Sequence, residues 1–438
     1  MLEVHRTHRA KILNLSQVED SLDRHGWAAS KLWNVANYHS RNVWEETGEI
    51  PDHSDLKTEL KTHTKYKGLH SQSSQRVLEE LAEAFNSWYG SDDRRANPPG
   101  YRKNNYYDSE GRRVHEEHPR STVTWKQNGI RHDTKNNRVR LSKGANHKED
   151  PKAWEYILVE YETRPGVEVK NLQQVRAVYD NAKGRWELHL VCKDEIETPT
   201  APGTETAGID LGICNFAAVA YSTEEADLYP GNRLKQDGYY FPKEIAKCDD
   251  SGGERATRLH HTWSERRTHF FHSLATNIVE RCVEKEVGRI NVGELAGVRE
   301  DEPGDSKNWG RHGNLDLHGW AFDRFTKILT YKAKVKGIDV VAVSERDTSK
   351  TCCVCGTEDD SQRVERGLYV CEECDSAFNA DVNGAENIRL DTNKESNSES
   401  APGLGGDRST GWLAQPAVYL YDLSSGFQPQ EQVVECKP

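Results

Sequence analysis

No stretch of about 18 consecutive apolar residues occurs in this 438-residue chain, so no segment reads as a membrane span. A secretory leader is missing too. Met1-Leu2-Glu3-Val4-His5-Arg6 has no apolar core, so a soluble, cytoplasmic protein without membrane partners is expected. An excess of positive charge is also absent: 59 Lys and Arg stand against 71 Asp and Glu, a formal charge of −12. Phosphate contacts are made by Lys and Arg, so the overall balance argues against indiscriminate nucleic-acid binding. A high-salt host would account for an acidic surface on a protein that nonetheless handles nucleic acid. The ten cysteines carry no mark of a secreted framework, which fits a reducing compartment. The length allows two to four domains, each able to bury a core.

Against these absences one stretch stands out, TSKTCCVCGTEDDSQRVERGLYVCEECDSAFNADVNGAENIRL, from Thr348 to Leu390. Cys352 and Cys355 form one C-x-x-C, Cys371 and Cys374 a second, with fifteen residues between the pairs. Each pair turns two thiolates toward one centre, and the loop lets the pairs close a tetrahedron around a structural Zn²⁺. The alternatives are four unrelated buried thiols or two disulfides, the latter disfavoured by the compartment. Cys353, inside the first pair, is read as a spectator. Asp381 opens an amphipathic helix seven residues after Cys374.

Taken in order, residues 3–15 alternate as a first strand, and the pattern then turns helical to about Tyr89. Ser16 and Ser74 stand where N-caps belong. Val77, Leu81, Phe85 and Trp88 share one helix face, a stripe read as core. Asn97-Pro98-Pro99-Gly100 breaks the chain within a basic segment: from Arg94 to Lys143 there are 13 Lys or Arg against 5 Asp or Glu, interleaved with Tyr101, Tyr106, Tyr107 and Trp125. Such a patch can follow a phosphate backbone while its rings stack on bases, and Arg102, Lys103, Arg112 and Arg113 are the candidate contacts. It can equally be a solvated surface. Strand-like runs follow to Cys192, the last two flanking a hairpin loop, Asp180–Gly184. The first strand is expected to pair with these, leaving the helices as an insertion.

From Thr206 the pattern becomes strand–turn–strand, helix, strand, helix, strand, an α/β arrangement around a mixed sheet. Three acids lie at informative places: Asp210 in GIDLG, Glu294 in INVGEL and Asp381 at the helix start. A carboxylate within a buried strand is costly unless paired or bound to a cation. Converging carboxylates supply the hard oxygens Mg²⁺ prefers, and paired Mg²⁺ ions suit phosphodiester hydrolysis. Each acid alone reads more simply as a strand-end or surface residue.

GIDLG, IxVGEL and TSKTCxxCG…CxxC…NADVNGAENI together resemble the TnpB (OrfB) family of transposon-encoded nucleases, similar to compact type V CRISPR effectors. The resemblance is dense over 204–390; SQSSQRVLEELAEAFNSWY and NPPGYRK extend it thinly into the first half. It implies an RNase H-like (RuvC-type) α/β nuclease domain over 204–347 and 379–390, interrupted by a zinc ribbon at 348–378. It further implies a β wedge domain, 1–15 with 97–200, carrying a helical recognition insertion at 16–96. The tail 391–438, rich in Ser, Gly, Pro and Gln, is expected to be disordered. By the same resemblance Asp210, Glu294 and Asp381 hold catalytic Mg²⁺, and the four cysteines hold structural Zn²⁺. The partners implied are a guide RNA derived from the transposon end, target DNA and a separate transposase. Two departures are visible: Asp375 stands where the family usually has Gly, and Asn379-Ala380 where many members carry Arg.

The leading expectation is an Mg²⁺-dependent, RNA-guided DNA endonuclease of the kind labelled transposase. The runner-up is a nuclease-silent, RNA-guided DNA-binding regulator, disfavoured by the three intact acids. A zinc-ribbon transcription factor leaves the acid-bearing strands unexplained.

Overall fold

The computed structural model describes residues 2–91, 96–147, 155–294, 322–390 and 411–430, apart from Asp108, Gly111, His118, Thr198, Ile213, Ser251 and Arg366. The chain divides into two compact units, Met1–Glu197 and Thr198–Pro438.

The first unit is built on one antiparallel sheet. Its strands are β1 (Leu2–Ile12), β4 (Val123–Lys126), β5 (Ile130–Asp133), β6 (Arg138–Ser142), β7 (Tyr156–Glu162), β8 (Leu172–Asp180) and β9 (Arg185–Ile196). They stand in the order β4-β8-β9-β1-β7-β6-β5, with a separate hairpin of β2 (Asn104–Tyr107) and β3 (Arg113–Glu117). Alternation sets the register: β7 reads buried at Ile157, Val159 and Tyr161, and β9 at Trp186, Leu188 and Leu190. β1 pairs along nearly its whole length with β9, Leu2 opposite Ile196 and Lys11 opposite Glu187. The opening strand is therefore closed by the last strand of the unit.

Between β1 and β4 lie helices α1 (Leu15–Thr47), α2 (His53–Leu60) and α3 (Ser71–Tyr89). The stripe on α3 is core as expected: Val77, Leu81 and Phe85 are buried and Trp88 packs against them. The expected caps differ. Asn14, not Ser16, precedes α1, and its amide bonds outward to Leu158 O and the Glu160 N–H of β7. Ser74 lies inside α3, its hydroxyl donating to Tyr66 O. Tertiary partners for these polar groups won over local capping. Asp23 fastens α1 to the sheet by accepting from Arg120 Nε at 2.6 Å and Trp186 Nε1 at 2.8 Å.

The second unit holds a mixed sheet in the order β14-β13-β10-β11-β12-β17-β18. Its strands are β10 (Glu205–Leu211), β11 (Asn215–Tyr221), β12 (Glu225–Pro230), β13 (Val287–Glu294), β14 (Asp339–Ser344), β17 (Ala417–Asp422) and β18 (Gly426–Pro429). β10, β13 and β14 run parallel to one another, while β11 is antiparallel to both β10 and β12. Helix α4 (Asn232–Ile245) follows β12; neither was anticipated from the sequence. The long helix α5 (Glu254–Glu284) covers one face with Phe270, Phe271, Leu274 and Ile278, and a helix at Phe322–Val335 joins the same core. On the other face lies the closing helix, Ala380–Leu390, preceded by the small hairpin of β15 (Leu368–Cys371) and β16 (Ser376–Asn379).

The tail departs from the expectation of disorder. Residues 391–410 and 431–438 lie outside the described residues, but β17 pairs in parallel with β12 and β18 turns back against it. Tyr419 stacks on Tyr229 at 5.3 Å between ring centroids, and Phe427 meets the same ring edge-on. A composition rich in small polar residues concealed one apolar, alternating segment, AVYLYD. Because Tyr419 and Phe427 are buried in the core, Tyr419→Ala should cost about 3 kcal/mol, read as a lower denaturation midpoint of the second unit.

Candidate metal centres and catalytic acids

The hairpin β15–β16 and the turn before it bring the four cysteines together. The Sγ atoms of Cys352, Cys355, Cys371 and Cys374 all lie within 4.8 Å of one another. Cys352 and Cys374 are 3.7 Å apart, Cys355 and Cys371 3.5 Å. A tetrahedron with Zn–S bonds of about 2.3 Å has edges close to 3.8 Å, so the donor set fits that ion in size and softness. Each turn ends on a left-handed residue, Gly356 at φ 77° and Asp375 at φ 47°. Asp375 therefore holds a glycine-type conformation, which is the departure visible in the sequence; Asp tolerates it better than most residues because its short side chain bonds locally. Cys353 is buried, and its backbone N–H donates to Asn383 Oδ1 at 2.9 Å. Its thiol is outside the four-sulfur group, as expected.

The motif NADVNGAENI assigns nearly every residue a separate task. Asn379 Oδ1 accepts from the backbone N–H groups of Asp381 and Val382, capping the closing helix. Asn383 Nδ2 donates to Thr351 O, and Asn387 Nδ2 to Thr348 O and Thr351 O, so the first cysteine turn is tied to the helix. Gly384 faces Asp210: a Cβ there would lie 2.8 Å from Asp210 Oδ2. Gly208 of β10 serves from the other side, since a Cβ would collide with Ala385 O and come within 2.5 Å of Arg389 N. Asn291 Nδ2 on β13 donates to Ile388 O and Arg389 O at the far end of the helix.

This packing juxtaposes Asp210 and Asp381. Asp381 Oδ2 accepts from Asn215 Nδ2 at 2.8 Å, and Oδ1 lies 3.4 Å from Arg363 Nη2. Asp210 has no comparable partner among the described residues; burial, then the Asp381 charge, pushes it up to about 7, with Arg363 opposing. Glu294 ends β13, one strand over, and is exposed. Among the described residues the acids are not drawn into a group as tight as the four sulfurs. Sequence reasoning missed a further carboxylate. Glu345 follows β14 directly, and burial, then Asp210, pushes it up to about 8. The local sequence, ERDTSK, gave this acid no distinction; its place beside Glu294 follows from the pairing of β14 with β13.

The basic candidates divide. The Arg102 guanidinium lies 3.6 Å from the Trp33 ring centroid, its backbone N–H donates to Asn34 Oδ1, and burial lowers its pKa. It stitches the NPPGYRK segment to α1, helped by Trp33 Nε1 donating to Gly100 O. Lys103 and Arg41 both lie over exposed Tyr101, at 5.6 and 5.4 Å. Arg112 pairs with Glu110 at 2.7 Å; Arg113 opens β3, with its side chain outside the described residues. Trp125 corrects the stacking expectation: it is fully buried and donates to Ser142 O.

Two outcomes follow from this geometry. Cys371→Ser should strip the tightly bound metal measured by atomic emission, and Cys353→Ser should retain it. An acid whose folded pKa exceeds its unfolded value stabilises fully below the unfolded value and loses that contribution as pH rises through the folded one. Asp210, raised from 3.8 to about 7, should therefore make the protein, with no divalent cation added, lose roughly a few kcal/mol between pH 4 and 8. Asp210→Asn should flatten that slope in denaturation curves.

Two family models match the chain. One, OrfB_IS605, described as "Probable transposase", covers residues 189–299; the other, "Cas12f1-like, TNB domain", covers 322–388. The TnpB-like protein ORF457 of Acidianus two-tailed virus is 25% identical over 430 residues, 87% of this chain and 86% of that protein. The CRISPR-associated endodeoxyribonuclease Cas12f1 of Sulfoacidibacillus thermotolerans is 23% identical over 229 residues, and the chain spans about half of its length (52%). Among solved structures, a Cas12f1–sgRNA–target DNA complex aligns at a TM-score of 0.36 and 14% identity, covering 89% of this chain and 100% of that one. With a probable-transposase segment and a TNB domain matched in succession, the chain is similar to TnpB-like proteins over most of its length.

Proposed function

We propose that this protein is a transposon-associated, RNA-guided DNA endonuclease. The observation that carries the reading is the closing helix, which sets Asp381 against Asp210 and ties both to the cysteine cluster. The strand order β14-β13-β10-β11-β12, with β10 parallel to β13 and antiparallel to β11, supports an RNase H-like (RuvC-type) assignment for the nuclease domain. In this reading Cys352, Cys355, Cys371 and Cys374 hold Zn²⁺. Asp210, Glu294 and Asp381 are assigned to Mg²⁺, which takes hard oxygen ligands; Asp210 and Asp381 crowd one another, while Glu294 stands exposed at the end of β13 and would have to turn toward them. Bound there, Mg²⁺ supplies an activated water on one side of the scissile phosphate and charge stabilisation for the leaving oxygen on the other.

The chain's own residues do the positioning. Asn215 and Arg363 orient the Asp381 carboxylate, and Asn379 caps its helix. Asp210 is held beneath Gly384 and, among the described residues, has no cation of its own beyond the distant help of Arg363, which leaves its oxygens for a ligand. The sheet of the first unit acts as a β wedge and α1–α3 as a recognition insertion. Guide RNA from the transposon end and target DNA lie along the basic segment, with Lys103, Arg112 and Arg113 as phosphate contacts and Arg102 shaping the loop that presents them.

The test is guide-programmed cleavage of a labelled duplex alongside guide-dependent binding. Asp210→Ala, Glu294→Ala and Asp381→Ala should each abolish cutting and leave binding intact. Cutting by Glu294→Ala at the wild-type rate would remove Glu294 from the site. Uncut duplex with wild-type protein, bound guide and Mg²⁺ would favour the nuclease-silent regulator.

A further inference from the structure

The turn after β14 places a charged group where no expectation had put one. β13 and β14 are parallel with Glu294 opposite Ser344, so Glu345, the next residue, emerges on the alternate face. That is the face of Asn291 and Gly293, and Asn291 reaches the closing helix from it. β10 runs alongside in register, Ile209 opposite Val292, which brings Asp210 level with Gly293. Glu345 folds across this glycine. A Cβ at position 293 would collide with Glu345 Oε1 and lie 2.5 Å from its Cγ. Two glycines thus clear space for two carboxylates, Gly384 for Asp210 and Gly293 for Glu345.

Glu345 Oε1 is buried and has no hydrogen-bond partner among the described residues. A buried carboxylate oxygen without a donor is costly. Structural carboxylates elsewhere in this unit do not look like this: Asp227 accepts from Tyr221 and Arg281, and Glu386 is paired with Arg389. A cation between Glu345 and Asp210 would satisfy both groups.

We propose that Glu345 is a fourth carboxylate of the divalent-cation site, binding the ion it shares with Asp210 at the β13–β14 edge. This rests on the reading of Asp210 and Asp381 as metal ligands. The probe is Mn²⁺, titrated into the RNA-free full chain by calorimetry and by the electron paramagnetic resonance of unbound Mn²⁺. Glu345→Gln keeps the shape and removes the charge, so it should fold. It should weaken Mn²⁺ binding by on the order of tenfold or more, or remove one equivalent, and Glu345→Asp should restore part of the loss. Cleavage by Glu345→Gln should need a correspondingly higher Mg²⁺ concentration. Wild-type Mn²⁺ affinity and stoichiometry in Glu345→Gln, with binding lost in Asp210→Asn, overturns the role of Glu345 and leaves the acid site standing. Unchanged Mn²⁺ binding in Asp210→Asn and Asp381→Asn as well overturns both readings.

Discussion

The second unit depends on how closely the closing helix lies on β10. A helix with ordinary side chains at its contact packs 8–10 Å from its neighbour; here Gly208 removes the side chain between strand and helix. With that gap closed, Asp381 reaches the level of Asp210, Asn291 reaches the carbonyls at the helix end, and Asn383 and Asn387 reach the first cysteine turn. Ribbon, helix and strand become one rigid element through backbone-directed hydrogen bonds. Only then do carboxylates from distant parts of the chain face each other.

That approach has an electrostatic cost. Two carboxylates from facing elements and a third from the next turn occupy a region where, among the described residues, the cation in contact is Arg363, already on Asp381. The rest of the unit treats buried charge conservatively: Asp227 is enclosed but bound by Arg281 and Tyr221. Asp210 and Glu345, by contrast, have no ion pair among the described residues, and perturbed, unpaired acids of this kind mark places that bind a ligand.

Much of this was legible in the sequence. The doubled C-x-x-C carries its chemistry in fixed spacing, and Asp210 in a strand and Asp381 at a helix start lie where the pattern put them, whereas Glu294 lies exposed at the end of β13. The stripe on α3 carries its face in helical period. Other features were not legible because they depend on partners distant in the chain. Asn14 and Ser74 bond across the fold instead of capping, Trp125 turned inward as core, and Glu345 lies in a polar run, ERDTSK, where local pattern gives an acid no distinction. Strands β17 and β18 were obscured by the composition around them. Arg102 illustrates the limit of charge counting, since a cation laid on Trp33 holds a loop in place before it can meet any phosphate.

Synthesis order gives the paired strands β12 and β17 a temporal meaning. The first unit contains its own closing strand, β9, and can fold while more than half the chain is still to be made. The second unit cannot: its helix-borne acid arrives at residue 381, and the strand that covers β12 arrives later still. Until the helix at 380–390 and β17 emerge, β12 lacks its β17 neighbour and Asp210 has no helix above it. The first unit thus matures before the carboxylates of the second are brought together.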